Sequence, residues 1–72
     1  MRFRVLFSHA SERVYEDLMH PEVFDHAVDA SNFGESIRRA QGVEYELMRD
    51  TEQGWLSRKG ETPVEVIRRR WG

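Results

Sequence analysis

The chain has 72 residues, of which 39% are hydrophobic and 33% charged, with a net charge of −2 and no cysteine. A chain this short forms one domain, and because small domains bury only about 60% of the surface exposed by the unfolded chain, its core is small. The absence of cysteine excludes disulfides and thiolate zinc sites, which leaves close packing or oligomerisation to stabilise the fold. We therefore treat residues 1–72 as a single small domain, and the sequence leaves a homodimer open.

The apolar segments of the chain are all short. The N-terminal run Val5-Leu6-Phe7 is below the 7–15 residues or so that the core of a signal peptide needs, and no segment approaches the roughly 20 residues of a membrane span. The chain also carries too many aromatic residues for a disordered segment. These features predict a folded, soluble, cytoplasmic protein without a membrane partner.

The first residues alternate between two sets, which is the period of a half-buried β-strand. One set is Phe3, Val5 and Phe7, and the other is Arg2, Arg4 and Leu6. The pattern predicts a strand over 2–7 with the aromatic set facing the core.

Residues 11–41 show the spacing of three and four that is typical of amphipathic helices. Ser11 is a candidate N-cap for a first helix of about two turns that ends near Met19. Pro21 should interrupt this helix, because the residue before a proline is pushed out of the helical region, yet it suits the first position of a new helix.

A further helical segment is predicted from near Ser31, with apolar residues at helical spacing until Gly42 stops it. The sequence does not decide whether 21–41 forms one bent helix or two. A strand over 23–30 is the main alternative, because the apolar residues there also fit a period of two.

The second half of the chain carries a hairpin pattern. Alternating residues predict a strand over 43–49, and a second strand is predicted over 54–58. The segment 50–54 between them ends in glycine, which suits a hairpin with a bulge.

The last residues fit two structures. Thr62, Pro63 and Glu65 provide the N-cap, the proline at the first position and the third-position glutamate of a capping box. The run 64–67 has the β-branched composition of a strand. We predict a helix over 63–71, because the helix would also place three arginines in its last turn, where positive charge is favourable.

These elements predict an α+β domain in the order β-α-α-β-β-α: a small antiparallel sheet of about three strands, with helices packed on one face. The residues expected to form its core are Phe3, Val5, Phe7, Val14, Leu18, Phe24, Val28, Phe33, Ile37, Val43, Tyr45, Leu47, Leu56 and Ile67.

No group of residues in the sequence specifies a reaction. His20 and His26 are six residues apart, which does not place both on one helix face, and no cysteine completes a metal site. Ser8 beside His9 is a polar pair after a strand, since a catalytic triad is defined by spatial roles and not by adjacency. The glycines do not cluster as in a phosphate-binding loop. We therefore expect no enzyme activity, no cofactor and no metal.

The clearest functional signal is an excess of carboxylates in the predicted helices. Between Ser8 and Glu35 there are seven carboxylates and one arginine. Carboxylates in rows at helical spacing resemble a phosphate backbone in charge, so they would fit a basic surface on a larger protein or ribonucleoprotein. The residues expected to contact this partner are Glu12, Glu16, Asp17, Glu22, Asp25 and Asp29. In size and charge alone, the chain resembles phage inhibitors of host defence such as anti-CRISPR proteins.

The alternative function uses the basic and aromatic residues at the other end of the chain. A small nucleic-acid-binding regulator would use Arg58, Arg68, Arg69, Arg70 and Trp71. The negative net charge weighs against general affinity for nucleic acid, so this hypothesis ranks second.

Overall fold

The computed structural model describes residues 1–9 and 15–72. The described elements are β1 (Phe3–Phe7), α1 (Ala27–Gln41), β2 (Tyr45–Thr51), β3 (Gly54–Ser57) and α2 (Pro63–Arg70). The strands form one antiparallel sheet in the order β1-β2-β3, with β2 in the centre. The prediction of an α+β domain with a three-stranded antiparallel sheet is confirmed.

The predicted order β-α-α-β-β-α is wrong, because the described elements follow the order β-α-β-β-α. Of the predicted first helix, residues 11–14 lie outside the described part of the chain, and residues 15–19 form turns and bends. Pro21 does not begin a helix either. The reason is tertiary: Phe24 pairs with Phe3 in an isolated antiparallel bridge, so backbone groups in this segment bond to the edge of β1.

A single helix, α1, follows this segment. Residues 21–41 therefore form neither one bent helix nor two, because the helix covers only 27–41. It begins at Ala27 and ends at Gln41, and the next residue, Gly42, has a φ of 69° and donates its N–H to the Arg38 carbonyl at 2.8 Å. Gly34 is buried against the ring of Tyr45, where a Cβ atom would lie 2.6 Å from Cδ2. The glycine that weakens the helix in isolation therefore lets α1 approach β2 closely.

The hairpin and the C-terminal helix form largely as predicted. Thr51 faces Gly54 across β2 and β3, so the connecting turn has two residues and is shorter than the predicted 50–54 segment. In α2, Thr62 accepts a hydrogen bond from the Glu65 N–H, and the Glu65 carboxylate accepts one from the Thr62 N–H at 2.9 Å. The predicted capping box is confirmed, and residues 63–70 are a helix and not a strand.

The core lies on both faces of the sheet. Val5 and Phe7 pack with Ala30 of α1, whereas Leu6, between them on β1, packs with Val66 of α2. Because neighbouring strand residues point to opposite faces, α1 and α2 lie on opposite faces, and the predicted packing of helices on one face is not the observed one.

Because the core has this second face, several buried residues differ from those expected from the sequence. Leu6, Met19, Met48 and Val66 are buried, although none was expected in the core. Val28, which was expected there, is 63% exposed, and Val14 lies outside the described residues. Neither described helix has the length and hydropathy needed to cross a membrane.

Candidate functional site

The segment between β1 and α1, whose described part carries four of the predicted partner-binding residues, runs along the outer edge of β1. The Phe3 and Phe24 backbones exchange two hydrogen bonds of 2.8 Å, and the His20 N–H donates to the Val5 carbonyl at 2.9 Å. Phe24 packs in the core cluster of Phe7 and α1, whereas Val23 and Asp25 on either side of it are exposed. The alternation of an extended backbone thus fixes which of these side chains reach solvent.

A buried arginine anchors this segment to the sheet. The Arg4 side chain is only 10% exposed, and its guanidinium donates to both carboxylate oxygens of Asp17 at 2.6 and 2.9 Å. It also donates to the His20 carbonyl at 3.0 Å and to the Met19 carbonyl at 3.2 Å. The Trp55 ring lies 5.3 Å from its central carbon, in the range of a cation–π contact. One side chain therefore holds residues 17–20 against the sheet.

Asp17 has a structural role in this arrangement. The hydrogen bonds from Arg4 hold the pKa of the Asp17 carboxyl below its usual value, against the opposing effect of partial burial. Its charge is matched by Arg4, so Asp17 contributes little to the field seen by a partner. Among the predicted partner-binding residues that the structure describes, Asp17 is the one that forms an ion pair within the fold.

His20 lies inside an aromatic cluster beneath α1. Its ring is 4.7 Å from that of Phe33 and 5.1 Å from that of Tyr15, and its Nδ1 accepts a hydrogen bond from the Glu22 N–H at 3.2 Å. Burial lowers the pKa of His20, and the nearby Arg4 charge lowers it further, while Glu22 opposes both. A neutral imidazole at position 20 therefore helps to hold Glu22 in place.

The pKa of His20 makes stability depend on pH. Because its pKa is lower in the folded than in the unfolded state, its contribution is present above the unfolded value of about 6.5 and is lost as pH falls toward the folded value. We expect urea unfolding to show falling stability as pH drops from 7 to about 5. His20→Asn keeps an acceptor for the Glu22 N–H but does not titrate. An equally steep loss in this variant would contradict the assignment to His20.

Three of the predicted contact residues, Glu22, Asp25 and Asp29, are exposed within one segment that also carries the exposed Val23 and Val28, and we call these five residues the acidic surface. None of the three carboxylates has an ion-pair partner among residues 1–9 and 15–72. Val23 is 44% and Val28 63% exposed. The sequence predicted the carboxylates, but it assigned Val28 to the core and so missed the apolar part of this surface.

The other predicted acidic residues are not part of this surface. Glu16 is exposed in the turn before Asp17, and Glu12 lies outside the described residues. The carboxylates do not form rows on one long helix, since Glu22 and Asp25 precede α1 and only Asp29 lies in its first turn. They lie instead within one eight-residue segment, whose Phe24 is held along β1.

The residues of the alternative site are largely engaged within the fold. Arg69 donates to Glu61 at 2.8 Å, and Arg70 donates to Glu46 at 2.9 Å. Trp71 packs against the core cluster of Leu6 and Val66 and lies beneath the Arg70 guanidinium. Arg58 and Arg68 are exposed and have no ion-pair partner in the described part of the chain.

The described residues contain no cluster of three or more side chains suited to bind a metal ion. Comparison of the chain with protein-family models, curated proteins and solved structures gives no match. The interpretation of function therefore depends on the charges and exposed groups of the chain itself.

Proposed function

We propose that this protein is a non-enzymatic binding domain that engages a basic surface of a larger protein or ribonucleoprotein through its acidic surface. The observation that carries this proposal is the combination of three carboxylates and two exposed valines in a segment of eight residues, Glu22 to Asp29, where the carboxylates have no ion-pair partner in the part of the chain that the structure describes.

The distribution of ion pairs supports the acidic surface as a region of uncompensated negative charge. Six arginines of the described residues are paired: Arg2 with Asp50, Arg4 with Asp17, Arg38 with Glu35 and Glu44, Arg39 with Glu35, Arg69 with Glu61 and Glu46, and Arg70 with Glu46. In each of these pairs the two opposite charges largely cancel, so the electrostatic potential around most of the sheet is weak at a distance. Unpaired like charges, by contrast, add to a potential that attracts an oppositely charged partner over about a Debye length.

The apolar residues distinguish this surface from an ordinary solvated face. Protein interfaces bury apolar groups at the centre and keep charged groups at the rim. Val23 and Val28 supply apolar area, and the carboxylates supply the charges that orient a basic partner. This surface resembles a nucleic-acid backbone in charge, so it suits an inhibitor that occupies a nucleic-acid groove on its target, the mode of action of a phage anti-defence protein.

The backbone anchors support the same function. A binding surface gains affinity when it is already ordered, because less conformational entropy is lost on association. The Arg4 hydrogen bonds, the Phe3–Phe24 bridge and the His20 contacts order the segment before a partner arrives. For the alternative function, nucleic-acid binding, Arg58 and Arg68 are exposed, but Arg69 and Arg70 would first have to break their ion pairs with carboxylates.

The proposal is tested by capture from the source cell with matched variants. The wild type, the triple variant Glu22→Lys/Asp25→Lys/Asp29→Lys and the remote variant Glu52→Lys serve as baits, with quantitative mass spectrometry of the bound proteins. We expect a basic protein to be retained by the wild type and by Glu52→Lys and to be lost from the triple variant.

Thermal melting checks that the triple variant is folded, since Asp29 lies in the first turn of α1 and its reversal costs about 0.3–1 kcal/mol. Retention of the same protein by the triple variant would contradict the proposal. Recovery of nucleic acid alone would favour the alternative function.

A further inference from the structure

A second surface of this fold is built from arginines around an apolar floor. β3 pairs with residues 48–51 of β2. On this edge of β2, residues 45–47 therefore have no partner in β3. A groove of about 480 Å³ lies beside this part of β2. Its apolar lining includes Phe3 and Leu47, and its charged lining is Arg49, Arg58, Arg70 and Glu46. We call this the arginine groove.

The guanidinium groups in the arginine groove have unused hydrogen-bonding capacity. Arg49 Nε is buried and has no hydrogen-bond partner in the described part of the chain, and Arg49 Nη2 is 3.5 Å from the Ser57 carbonyl, the limit of a hydrogen bond. Arg58 is exposed and lacks an ion-pair partner among the described residues. Arg70 uses its Nη1 for the Tyr45 carbonyl and Glu46.

Three guanidiniums against one carboxylate give the arginine groove a net positive charge, opposite to that of the acidic surface. Guanidinium groups bind carboxylates through paired hydrogen bonds, and the floor of Phe3 and Leu47 offers apolar contact beside them.

From these contacts we infer that the arginine groove binds an acidic peptide segment in which one or two carboxylates flank an apolar side chain. The carboxylates pair with the guanidiniums of Arg49 and Arg58 that line the groove, and the apolar side chain covers Phe3 and Leu47. This site is separate from the acidic surface and requires a partner of the opposite charge.

The position of the groove favours a peptide over nucleic acid. Ala27, the first residue of α1, also lines the groove. Glu46, which lies in the lining beside Arg70, places negative charge within the groove. A long polyphosphate would meet this charge along its path, whereas a short segment with one or two carboxylates fits between the arginines.

The test is a fluorescence anisotropy titration with a labelled, C-terminally amidated peptide, Gly-Glu-Leu-Glu-Leu-Gly. We expect saturable binding, and we expect Arg49→Gln and Arg58→Gln each to weaken it about tenfold or more, the loss typical of a charge-assisted hydrogen bond. Arg68→Gln is the matched control, because Arg68 is exposed on α2 and does not line the groove; its effect should stay within about twofold. Arg58 is exposed, so its variant reports on binding even if Arg49→Gln unfolds.

Two peptide controls and an oligonucleotide complete the experiment. Replacing the glutamates of the peptide by glutamine, or its leucines by alanine, should weaken binding, since both parts of the site are used. Tighter binding of an oligothymidylate that is lost in the same variants would overturn the inference in favour of nucleic acid. Absence of saturable peptide binding, or equal losses in Arg58→Gln and Arg68→Gln, would also overturn it.

Discussion

Replacing Arg4 by alanine is expected to destabilise the protein by about 3 kcal/mol and to release the segment that carries the acidic surface. The change leaves the Met19 and His20 carbonyls without their donor, and it removes the partner of Asp17. Orphaned buried acceptors cost about 1–3 kcal/mol, and loss of one member of a buried ion pair costs about 3–5 kcal/mol. Because Asp17 is partly exposed, the total lies toward the lower end of that range.

Urea unfolding measures the loss of stability, and amide hydrogen exchange measures the release of the segment. The exchange of the Phe24 and His20 amides, which bond to β1, should accelerate more than that of amides in α2. Arg2→Ala is the control, because Arg2 pairs with Asp50 at the surface, where such pairs are worth less than about 1 kcal/mol. Equal losses of stability in the two variants would show that Arg4 is not the anchor.

Replacing Phe7 by alanine is expected to cost about 3–5 kcal/mol, the largest effect of a single core change in this chain. Phe7 is fully buried and contacts the rings of His9, His20 and Phe33. A domain with a total stability on the order of 5 kcal/mol would be partly unfolded by this change at room temperature.

The matched control is Val28→Ala. The sequence predicts Val28 in the core, but the fold leaves it 63% exposed, so its truncation should change stability by less than about 0.5 kcal/mol. Thermal melting of both variants shows whether Val28 lies in the core, as the sequence predicts, or is exposed, as in the fold. A larger loss for Val28→Ala than for Phe7→Ala would mean that α1 packs through a different face.

The features predicted correctly from the sequence are those fixed by local chemistry. Thr62 and Glu65 form their capping box within four residues, and Gly42 ends α1 through its own positive φ. The strands β1 and β2 follow from alternation, and the antiparallel pairing of β2 with β3 follows from the short turn before Gly54. Such signals do not depend on distant parts of the chain.

The features that were missed depend on contacts between distant residues. The helical spacing of residues 15–25 is overridden because Phe24 pairs with Phe3, 21 positions earlier in the chain. The second core cluster requires Val66 of α2 to meet Leu6, which alternation had placed on the solvent side of β1. Tertiary burial of this kind outweighs helix propensity, which differs by less than about 1 kcal/mol among ordinary residues.

In the candidate site too, the local features were predictable from the sequence and the features that depend on distant contacts were not. The excess of carboxylates is visible in the sequence, and Glu22, Asp25 and Asp29 are exposed as expected. Their arrangement was not predictable, since Arg4 and Asp17 are 13 residues apart and nothing in a single sequence indicates that they pair. The exposure of Val23 and Val28 depends on the same anchored segment.

The most direct test of the acidic surface is the rate of association with the captured partner as ionic strength is varied. We expect the association rate of the wild type to fall steeply with salt, because steering by complementary charge raises such rates by about tenfold or more at low salt. In Glu22→Lys/Asp25→Lys/Asp29→Lys the rate at low salt should be at least about tenfold slower and depend less on salt, while Glu52→Lys remains close to the wild type. An unchanged rate at low salt in the triple variant would contradict the proposal that this surface binds the partner.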